Sequence, residues 1–423
     1  MKNVIQFLKK RQFLEQVSSE DLQKICEKPC KIYVGFDPTS DSLHLGNLVG
    51  IIALRWFQKM GHQPYVLLGG ATARIGDPSG KSKERPLLDE KQLKKNAASI
   101  RRCLQKLLPS KDPKTAPVFI DNEEWFSKFS YLDFLREVGK QFRVGPMLGK
   151  DSVRTRLQSE EGISYTEFSY QILQAYDFYH LFQKEEVCIQ AGGSDQWGNI
   201  TAGIDFVRKE LGKSVYGVTF PLLVRSDGKK FGKTEEGAIW LSEEKLSSYD
   251  FYQHLLRVPD ADVVFLLRML TFLPEEELSY YENLLQDPNA KPNVAQKKLA
   301  EELTLFVHGQ TGLQKALEIT ANMKPGSEAI LDAETLHSLS KTMTVHPLKK
   351  EEVMGKKYAE LLLEIGLVKS KSEAVRLIKN QGAYLNNEKV VDPYFCLSEQ
   401  NLLEKKYLLF ASGKKRKLLI EVR

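Results

Sequence analysis

The 423-residue sequence predicts a doubly wound α/β domain, then an all-α segment, then a small basic α+β unit. Three observations carry this. Short apolar, β-rich runs alternate with helix-periodic segments over about the first 220 residues, the pattern of a parallel sheet with crossover helices. The alternation stops near Ser247, and Leu, Phe and Ala then recur at helical spacing as far as Asn322. From Lys349 onward short helical and strand-like runs mix, and the chain becomes basic. The boundaries expected are therefore 1–246, 247–322, a weakly periodic linker 323–348, and 349–423.

Met1 to Gln16, MKNVIQFLKKRQFLEQ, reads as an amphipathic helix using Val4, Phe7, Leu8, Leu14 and Val17. Lys and Arg break every apolar pair in it, so it is no signal-peptide core. Ser18 to Asp21 resembles a helix start, and Pro29 ends that unit. Lys31–Phe36 reads as a strand, His44–Gly61 as a helix and Tyr65–Leu68 as a second strand. Together they make a βαβ unit with a right-handed crossover. Sheets of this kind bind ligands beyond the carboxyl ends of their strands, here Tyr33 to Asp37 and Gly69 to Asp77. Val118–Asp121 is a third strand, Trp125–Arg136 is helical, and Gly162–Phe182 is a long helix. The i, i+4, i+7 spacing places Tyr170, Gln174 and Asp177 on one face of it. Val187–Gln190, Ile200–Leu211 and Thr219–Val224 read as strand, helix and strand, and the loop Arg225–Gly237 follows. In the last unit, Tyr358–Ile365 and Lys371–Asn380 read as helices.

Apolar content of 42% and charged content of 27% are those of a globular chain, and no run approaches a membrane span. The five cysteines, Cys26, Cys30, Cys103, Cys188 and Cys396, form no two-residue pair of the zinc or redox kind. The expectation is a cytoplasmic protein with idle thiols and no protein-bound metal cluster. Residues 349–423 hold 16 Lys and Arg against 10 Asp and Glu, a net of +6, equal to the net of the whole chain. A neutral body with a basic tail suits an enzyme that also holds a polyanion, although a solvated terminus has the same charge.

Two Gly-Lys stretches imitate a phosphate-binding P-loop without its spacing. Counting back from Gly80-Lys81-Ser82, the required Gly falls on Ile75; from Gly232-Lys233-Thr234 it falls on Asp227. The dinucleotide fingerprint GxGxxG is absent after the first strand. Two other short stretches remain. His44-Leu45-Gly46-Asn47 puts a His, a Gly and an Asn at a helix N-terminus, where free N–H groups and the macrodipole favour an anion. Lys230-Phe231-Gly232-Lys233-Thr234 puts two point charges in a Gly-containing loop suited to clamping phosphates. Either stretch alone also fits an ordinary helix cap or a solvated loop. The two gain meaning as a pair, one after the first strand and one after the last.

In that order the chain resembles the bacterial-type tyrosyl-tRNA synthetases, class I aminoacyl-tRNA synthetases with a Rossmann-like catalytic domain. HLGN stands at the position of the class signature His-x-Gly-His, and KFGKT at that of its Lys-Met-Ser-Lys-Ser loop. GFDPTSDSLHLGN, GGATARIGDPSGK, FSYQILQAYD and GGSDQWGNI match the family in order, and the likeness continues to the C-terminus. The resemblance implies a ligase that joins L-tyrosine to tRNA(Tyr) through a tyrosyl-adenylate, with ATP as substrate, Mg2+ on its phosphates, and a homodimer. It places Tyr33 and Asp177 on the substrate phenol, Tyr170, Gln174 and Asp77 on its ammonium, and Gln196 near its carboxylate. ATP would lie across Gly35, Asp37, Thr39, His44, Gly46, Asn47, Gly192 and Asp195. Thr39, His44, Lys81, Arg85, Lys230 and Lys233 would meet the phosphates and act in catalysis. The segment Gly366 to Gly382 resembles the small RNA-binding fold shared with a ribosomal small-subunit protein. Arg376, Lys379, Lys414, Lys415, Arg416 and Lys417 would there meet tRNA phosphates. One residue departs from the pattern: Asn47 replaces the second signature His, which keeps an N–H donor and excludes proton transfer. The tryptophanyl enzymes share the fold, and a noncatalytic tRNA-binding relative or a small-molecule nucleotidylyltransferase would share part of the pattern.

Overall fold

The computed structural model describes residues 3–80, 84, 88–228, 231–234, 237–322, 331, 336, 339–340, 345–413 and 416–423. Contacts divide them into two units. The first is Met1–Ser242 with Asp260–Ala290; the second is Glu243–Pro259 with Lys291–Arg423.

The first unit is built on a six-stranded sheet. Its strands are β1 (Gln16–Val17), β2 (Lys31–Phe36), β3 (Gln63–Leu68), β4 (Val118–Asp121), β5 (Ile189–Gly193) and β6 (Tyr216–Phe220). The spatial order is β1-β6-β5-β2-β3-β4, parallel throughout except for β1. The chain builds outward from β2 through β3 to β4, then returns to β2's other side for β5 and β6. The order therefore reverses between β2 and β5, and the crevice beyond their carboxyl ends is the natural ligand site of such a sheet. Both faces are covered. Leu48, Ile51, Ile52 and Leu54 of the Leu45–Lys59 helix are fully buried, and Tyr33, Tyr65, Leu67, Trp125, Phe178 and Leu181 pack together in a second cluster.

Several elements begin or end elsewhere than expected. The first helix is Val4–Lys10, capped by Asn3, and Gln12 turns the chain at φ +58°. Leu14 and Val17 therefore lie outside it, and Val17 pairs with Val218 at the sheet edge. The 125–136 helix is two, because the Ser130 hydroxyl accepts from the Asp133 N–H and starts a new helix, Tyr131–Glu137. The last strand of the sheet starts at Tyr216 and ends at Phe220. The long helix is Tyr165–Glu185, with Ser164 as its cap. A buried pair, Arg156 with Glu167 at 2.8 Å, anchors its first turn.

The helical stretch 247–322 is divided between the two units. Residues 260–290 join the first because the buried Arg11 guanidinium donates to the carbonyls of Arg268, Thr271 and Leu273 at 2.6–2.9 Å. In the second unit, Ser248–Leu256 packs on Val294–Asn322, which is kinked at Gly309 (φ +75°). A five-stranded sheet follows, ordered Glu388–Lys389, Ala383–Leu385, Tyr407–Ser412, Arg416–Val422 and Val345–Leu348. Its last pairing is parallel, so this sheet begins at Val345, ahead of the expected Lys349. Tyr358–Glu364 and Lys371–Lys379 pack on it.

Candidate active site

A cleft of about 460 Å3 opens at the carboxyl ends of β2, β3 and β5. Its walls include Tyr33, Gly35, Asp37, Thr39, His44, Gly46, Asn47, Asp77, Tyr170, Gln174, Asp177, Gly192, Asp195 and Gln196. These are all the expected tyrosine- and ATP-site residues that lie within the described chain. Lys81, Arg85 and Lys230 lie outside it, as do Lys414, Lys415 and the Lys233 side chain.

At the inner end stands Asp177, 2% exposed, on the Tyr165–Glu185 helix. The Trp125 indole N–H donates to Oδ1 at 3.0 Å and the Asn122 amide to Oδ2 at 3.1 Å. Burial pushes this carboxyl well above the usual range, against the pull of those two donors. Beside it, Tyr33 is 1% exposed, and its hydroxyl has no hydrogen-bond partner among the described residues. Burial, and then the Asp177 charge, push this phenol well above its ordinary pKa. An unpaired hydroxyl and a carboxyl group thus share a buried pocket.

Two polar chains lead away from this end. In one, Tyr170 donates to Asp37 Oδ2 at 2.8 Å, Thr72 donates to Asp37 Oδ1 at 2.8 Å, and Asn122 donates to the Thr72 hydroxyl at 3.0 Å. In the other, Asn199 donates to Gln174 at 2.9 Å, Gln174 to Gln196 at 3.2 Å, and Gln196 to Asp77 at 2.7 Å. Asp37 was assigned by the sequence to the nucleotide; its carboxylate also bonds Tyr170 on the amino-acid side. Thr72, Asn122, Trp125 and Asn199 were not anticipated. Asn122 follows β4 directly, a carboxyl-end position of the kind that gathers ligands, and Asn199 ends the GGSDQWGN stretch. Only the folded chain shows that they orient the predicted residues. Gly69 is required here, since a Cβ on it would stand 1.9 Å from Asp37 Oδ1.

Asn122→Ala removes a donor to the Asp177 carboxylate, a bond worth about 1.5–3 kcal/mol to a charged group. Its expected effect is a fall of about 10- to 100-fold in kcat/KM for tyrosine, with little change in KM for ATP. Pyrophosphate exchange at varied tyrosine checks this, and an unchanged KM for tyrosine would contradict the positioning role.

The outer end is the start of the Leu45–Lys59 helix. His44 is its N-cap: Nδ1 accepts from the Gly46 N–H at 3.1 Å, and the Asn47 Oδ1 accepts from the His44 N–H at 3.0 Å. This reciprocal box puts the imidazole proton of His44 on Nε2 and turns the Asn47 amide oxygen to the backbone. A Cβ at Gly46 would press on the His44 ring at 2.9 Å, so only glycine lets the ring lie back over the turn. The chain from Phe231 onward is laced to this helix start. Gly232 accepts from the Ile239 N–H at 2.9 Å, Ile239 accepts from the Leu45 N–H at 2.8 Å, and Leu241 donates to Leu43 at 2.9 Å. Gly232, at φ +92°, lies so near that a Cβ would stand 3.4 Å from the Gly46 nitrogen. The structure therefore brings together the two stretches that the sequence paired. Gly35 faces open space, with nothing within 4 Å of a built Cβ, so a planar ligand can approach its backbone.

In the second unit, Arg376 and Lys379 line a groove on the Lys371–Lys379 helix with Lys371 and Asn380. Arg416 donates to the Leu367 carbonyl at 3.3 Å. Lys417 departs from the expectation of a solvated basic run: burial, and then Arg257, push its ammonium down to about 8.

Residues 24–323 match the family model of class I tRNA synthetases (W and Y), and residues 337–420 match the tyrosine–tRNA ligase SYY-like C-terminal domain. Among curated proteins the chain is 51% identical to a tyrosine–tRNA ligase of Protochlamydia amoebophila, over 100% of this chain and 99% of that one. It is 48% identical to the chloroplastic/mitochondrial tyrosine–tRNA ligase of Arabidopsis thaliana, over 99% and 84%. Among solved structures, a C-terminally truncated mitochondrial tyrosyl-tRNA synthetase of Aspergillus nidulans is 33% identical at a TM-score of 0.66, covering 75% of this chain and 92% of that one. A tryptophanyl-tRNA synthetase of Encephalitozoon cuniculi, 13% identical at a TM-score of 0.55, shares the fold alone. With a cleft of this geometry and matches over both units, the chain belongs to the class I tRNA synthetases, in their tyrosyl branch.

Proposed function

We infer that this protein activates L-tyrosine with ATP, releasing pyrophosphate, and transfers the tyrosyl group to the terminal adenosine of tRNA(Tyr). The observation that carries the reading is the pair at the inner end of the cleft. A phenol both accepts, from the orphaned Tyr33 hydroxyl, and donates, to Asp177. An indole N–H donates only, and a phenyl ring does neither. Each buried polar group left unpaired costs about 1–3 kcal/mol, so the pocket rejects phenylalanine on two counts. ATP–pyrophosphate exchange driven by tyrosine, tryptophan or phenylalanine tests this. Tyrosine alone is expected to support exchange, and equal exchange with tryptophan would overturn the reading.

The residues take the following roles. Asp77, Tyr170 and Gln174 hold the substrate ammonium, and Gln196, bonded to both Gln174 and Asp77, turns toward its carboxylate. A carboxylate oxygen attacks the α-phosphorus, the bond to pyrophosphate breaks, and a tyrosyl-adenylate forms. The ribose hydroxyl of tRNA then attacks the carbonyl, and AMP leaves. No protein nucleophile is needed. Catalysis comes from positioning and from donors that strengthen as charge moves onto the phosphate oxygens. Those donors are the Nε2–H of His44, the Asn47 amide, Thr39, and the lysines and arginine of the 81–85 and 230–233 segments. Gly192 and Asp195 receive the ribose, with Gly35, Asp37 and Gly46 along the nucleotide. Among the described residues no three carboxylates converge in the cleft, so the donor set there makes no cage for a hard cation. Mg2+ enters as the ion of the ATP phosphates.

A homodimer is the assembly we propose. Tyr131, Leu132, Val144, Leu148, Leu157 and Tyr165 are 40–73% exposed within one segment of the chain, and the hydroxyls of Tyr131 and Tyr165 meet at 3.5 Å. Apolar exposure of this kind suits a second copy. Arg376, Lys379 and Arg416, with the neighbouring Lys414 and Lys415, contact tRNA phosphates, and the half-buried Lys417 is left out of this set. The working compartment is the cytoplasm; among the described residues no helix is long and apolar enough to cross a membrane.

A further inference from the structure

The edge of the central sheet opposite the cleft carries side chains that the tyrosine and ATP chemistry does not use. Cys30 immediately precedes β2, His62 precedes β3, and Cys188 precedes β5. The register Lys31↔Gln63 sets Cys30 beside His62 at the amino ends of adjacent strands, and the register Ile32↔Ile189 sets Cys188 beside Lys31. Cys26, which closes the Asp21–Ile25 helix, comes in beside them. Its Sγ lies 3.9 Å from that of Cys30, and the Cys30 Sγ lies 3.1 Å from His62 Nδ1. The three ligand atoms all fall within 4.8 Å of one another. The Cys188 thiol is nearby and donates to the Lys31 carbonyl at 3.7 Å.

We propose that Cys26, Cys30 and His62 form a structural site for Zn2+, remote from the catalytic cleft, at the amino ends of β2 and β3. Zn–S bonds of about 2.3 Å and Zn–N bonds of about 2.0 Å set tetrahedral S···S and S···N edges of roughly 3.8 and 3.5 Å. The Cys26–Cys30 and Cys30–His62 separations, 3.9 and 3.1 Å, lie within about 0.4 Å of these, and the third edge closes within 4.8 Å. His62 is 0% exposed, and its Nδ1 lies 3.1 Å from the Cys30 Sγ. The Cys30 N–H donates to Nδ1 at 3.2 Å, which puts the ring proton on Nε2; a metal taken by Nδ1 would replace that hydrogen bond. That Nε2 is buried without a hydrogen-bond partner, so the other side of the ring offers no competing acceptor role. Two thiolates and a neutral imidazole cancel a dication, whereas a monovalent ion would leave a net negative charge in a half-buried place. On binding, each thiol gives its proton to solvent, two sulfur–zinc bonds form, and nothing is oxidised or reduced. A Cys26–Cys30 disulfide is the competing use of these sulfurs; it needs an oxidant and an approach to about 2.05 Å. The spacing gave no warning of this cluster, because the sheet register, and not a short sequence motif, assembles it.

The test uses the full chain, reduced, with Cys103→Ser and Cys396→Ser so that any thiolate signal comes from the cluster or Cys188. Titration with Co2+ is expected to give one ion per chain, with thiolate-to-cobalt charge-transfer absorption that one equivalent of Zn2+ abolishes. Cys30→Ser and His62→Gln are expected to weaken binding by about 100-fold or more. Tyrosine-dependent pyrophosphate exchange in both is expected to stay within about twofold of the parent, because the cleft lies at the other edge of the sheet. Absence of the charge-transfer band in the parent chain overturns the proposal, and that measurement does not depend on any cluster variant folding. Retention of the band in Cys30→Ser, or a Cys26–Cys30 disulfide in the reduced preparation, overturns it equally.

Discussion

His44→Ala is expected to lower kcat for tyrosine-dependent pyrophosphate exchange by about 10²- to 10³-fold, the usual cost of one donor aimed at developing charge. The geometry says why the loss falls on kcat. His44 Nδ1 is occupied by the Gly46 N–H, so the ring presents Nε2–H, a fixed donor at the mouth of a helix whose own N–H groups already favour an anion. The tyrosine end of the cleft, at Asp177 and Tyr33, does not touch it, and KM for tyrosine is expected to hold. A second effect accompanies this one: losing the cap costs about 1 kcal/mol of stability. Thermal unfolding measures that separately, and His44→Asn, which keeps both a capping oxygen and an N–H donor, is expected to recover much of both losses. Asn47→His is the internal control. Its ring nitrogen can accept from the His44 N–H as the Asn47 oxygen does, so most activity is expected to remain. Near-parental exchange in His44→Ala would remove His44 from the chemistry.

This part of the site was legible because its parts are local. A His-x-Gly turn at a helix start and a lysine loop after the last strand are short motifs, and the i, i+4, i+7 face of Tyr170, Gln174 and Asp177 follows from helix geometry alone. What stayed hidden depends on sheet register and on side chains meeting across long sequence separations. Asn122 reaches Asp177 and Thr72 only because β4 lies beside β3. Cys30 and His62 meet only because β2 lies beside β3. The same reason explains the misplaced boundaries. Residues 260–290 read as part of one helical run, and three carbonyls on the buried Arg11 draw them to the first unit. No periodicity in 260–290 encodes a guanidinium at residue 11.

Removing residues 345–423 is expected to leave pyrophosphate exchange within about threefold of the full chain and to lower tRNA charging by about 10³-fold or more. The first half follows from the cleft, all of whose walls come from residues up to Trp240. The second follows from phosphate contacts, each of which contributes to a binding free energy that falls steeply with salt. The cut belongs before Val345, because Val345–Leu348 is a strand of the same sheet, paired with Arg416–Val422. Starting the deletion at Lys349 would leave that strand behind without its partner. Either deletion also uncovers Tyr249 and Ile319, which pack with Leu409 and Leu419. Loss of charging in the deletion could therefore come from exposed apolar surface as well as from lost phosphate contacts. The intact-chain variant Arg376→Glu/Lys379→Glu separates the two, since it reverses charge on the exposed groove and leaves that packing alone. It is expected to raise KM for tRNA by about 10²-fold at low salt, to flatten the salt dependence of charging by a slope of about 1–2, and to leave KM for tyrosine unchanged. Charging that survives the charge reversal with its salt dependence intact would move the tRNA contacts away from the Lys371–Lys379 helix; charging that survives the deletion would remove the last unit from tRNA recognition altogether.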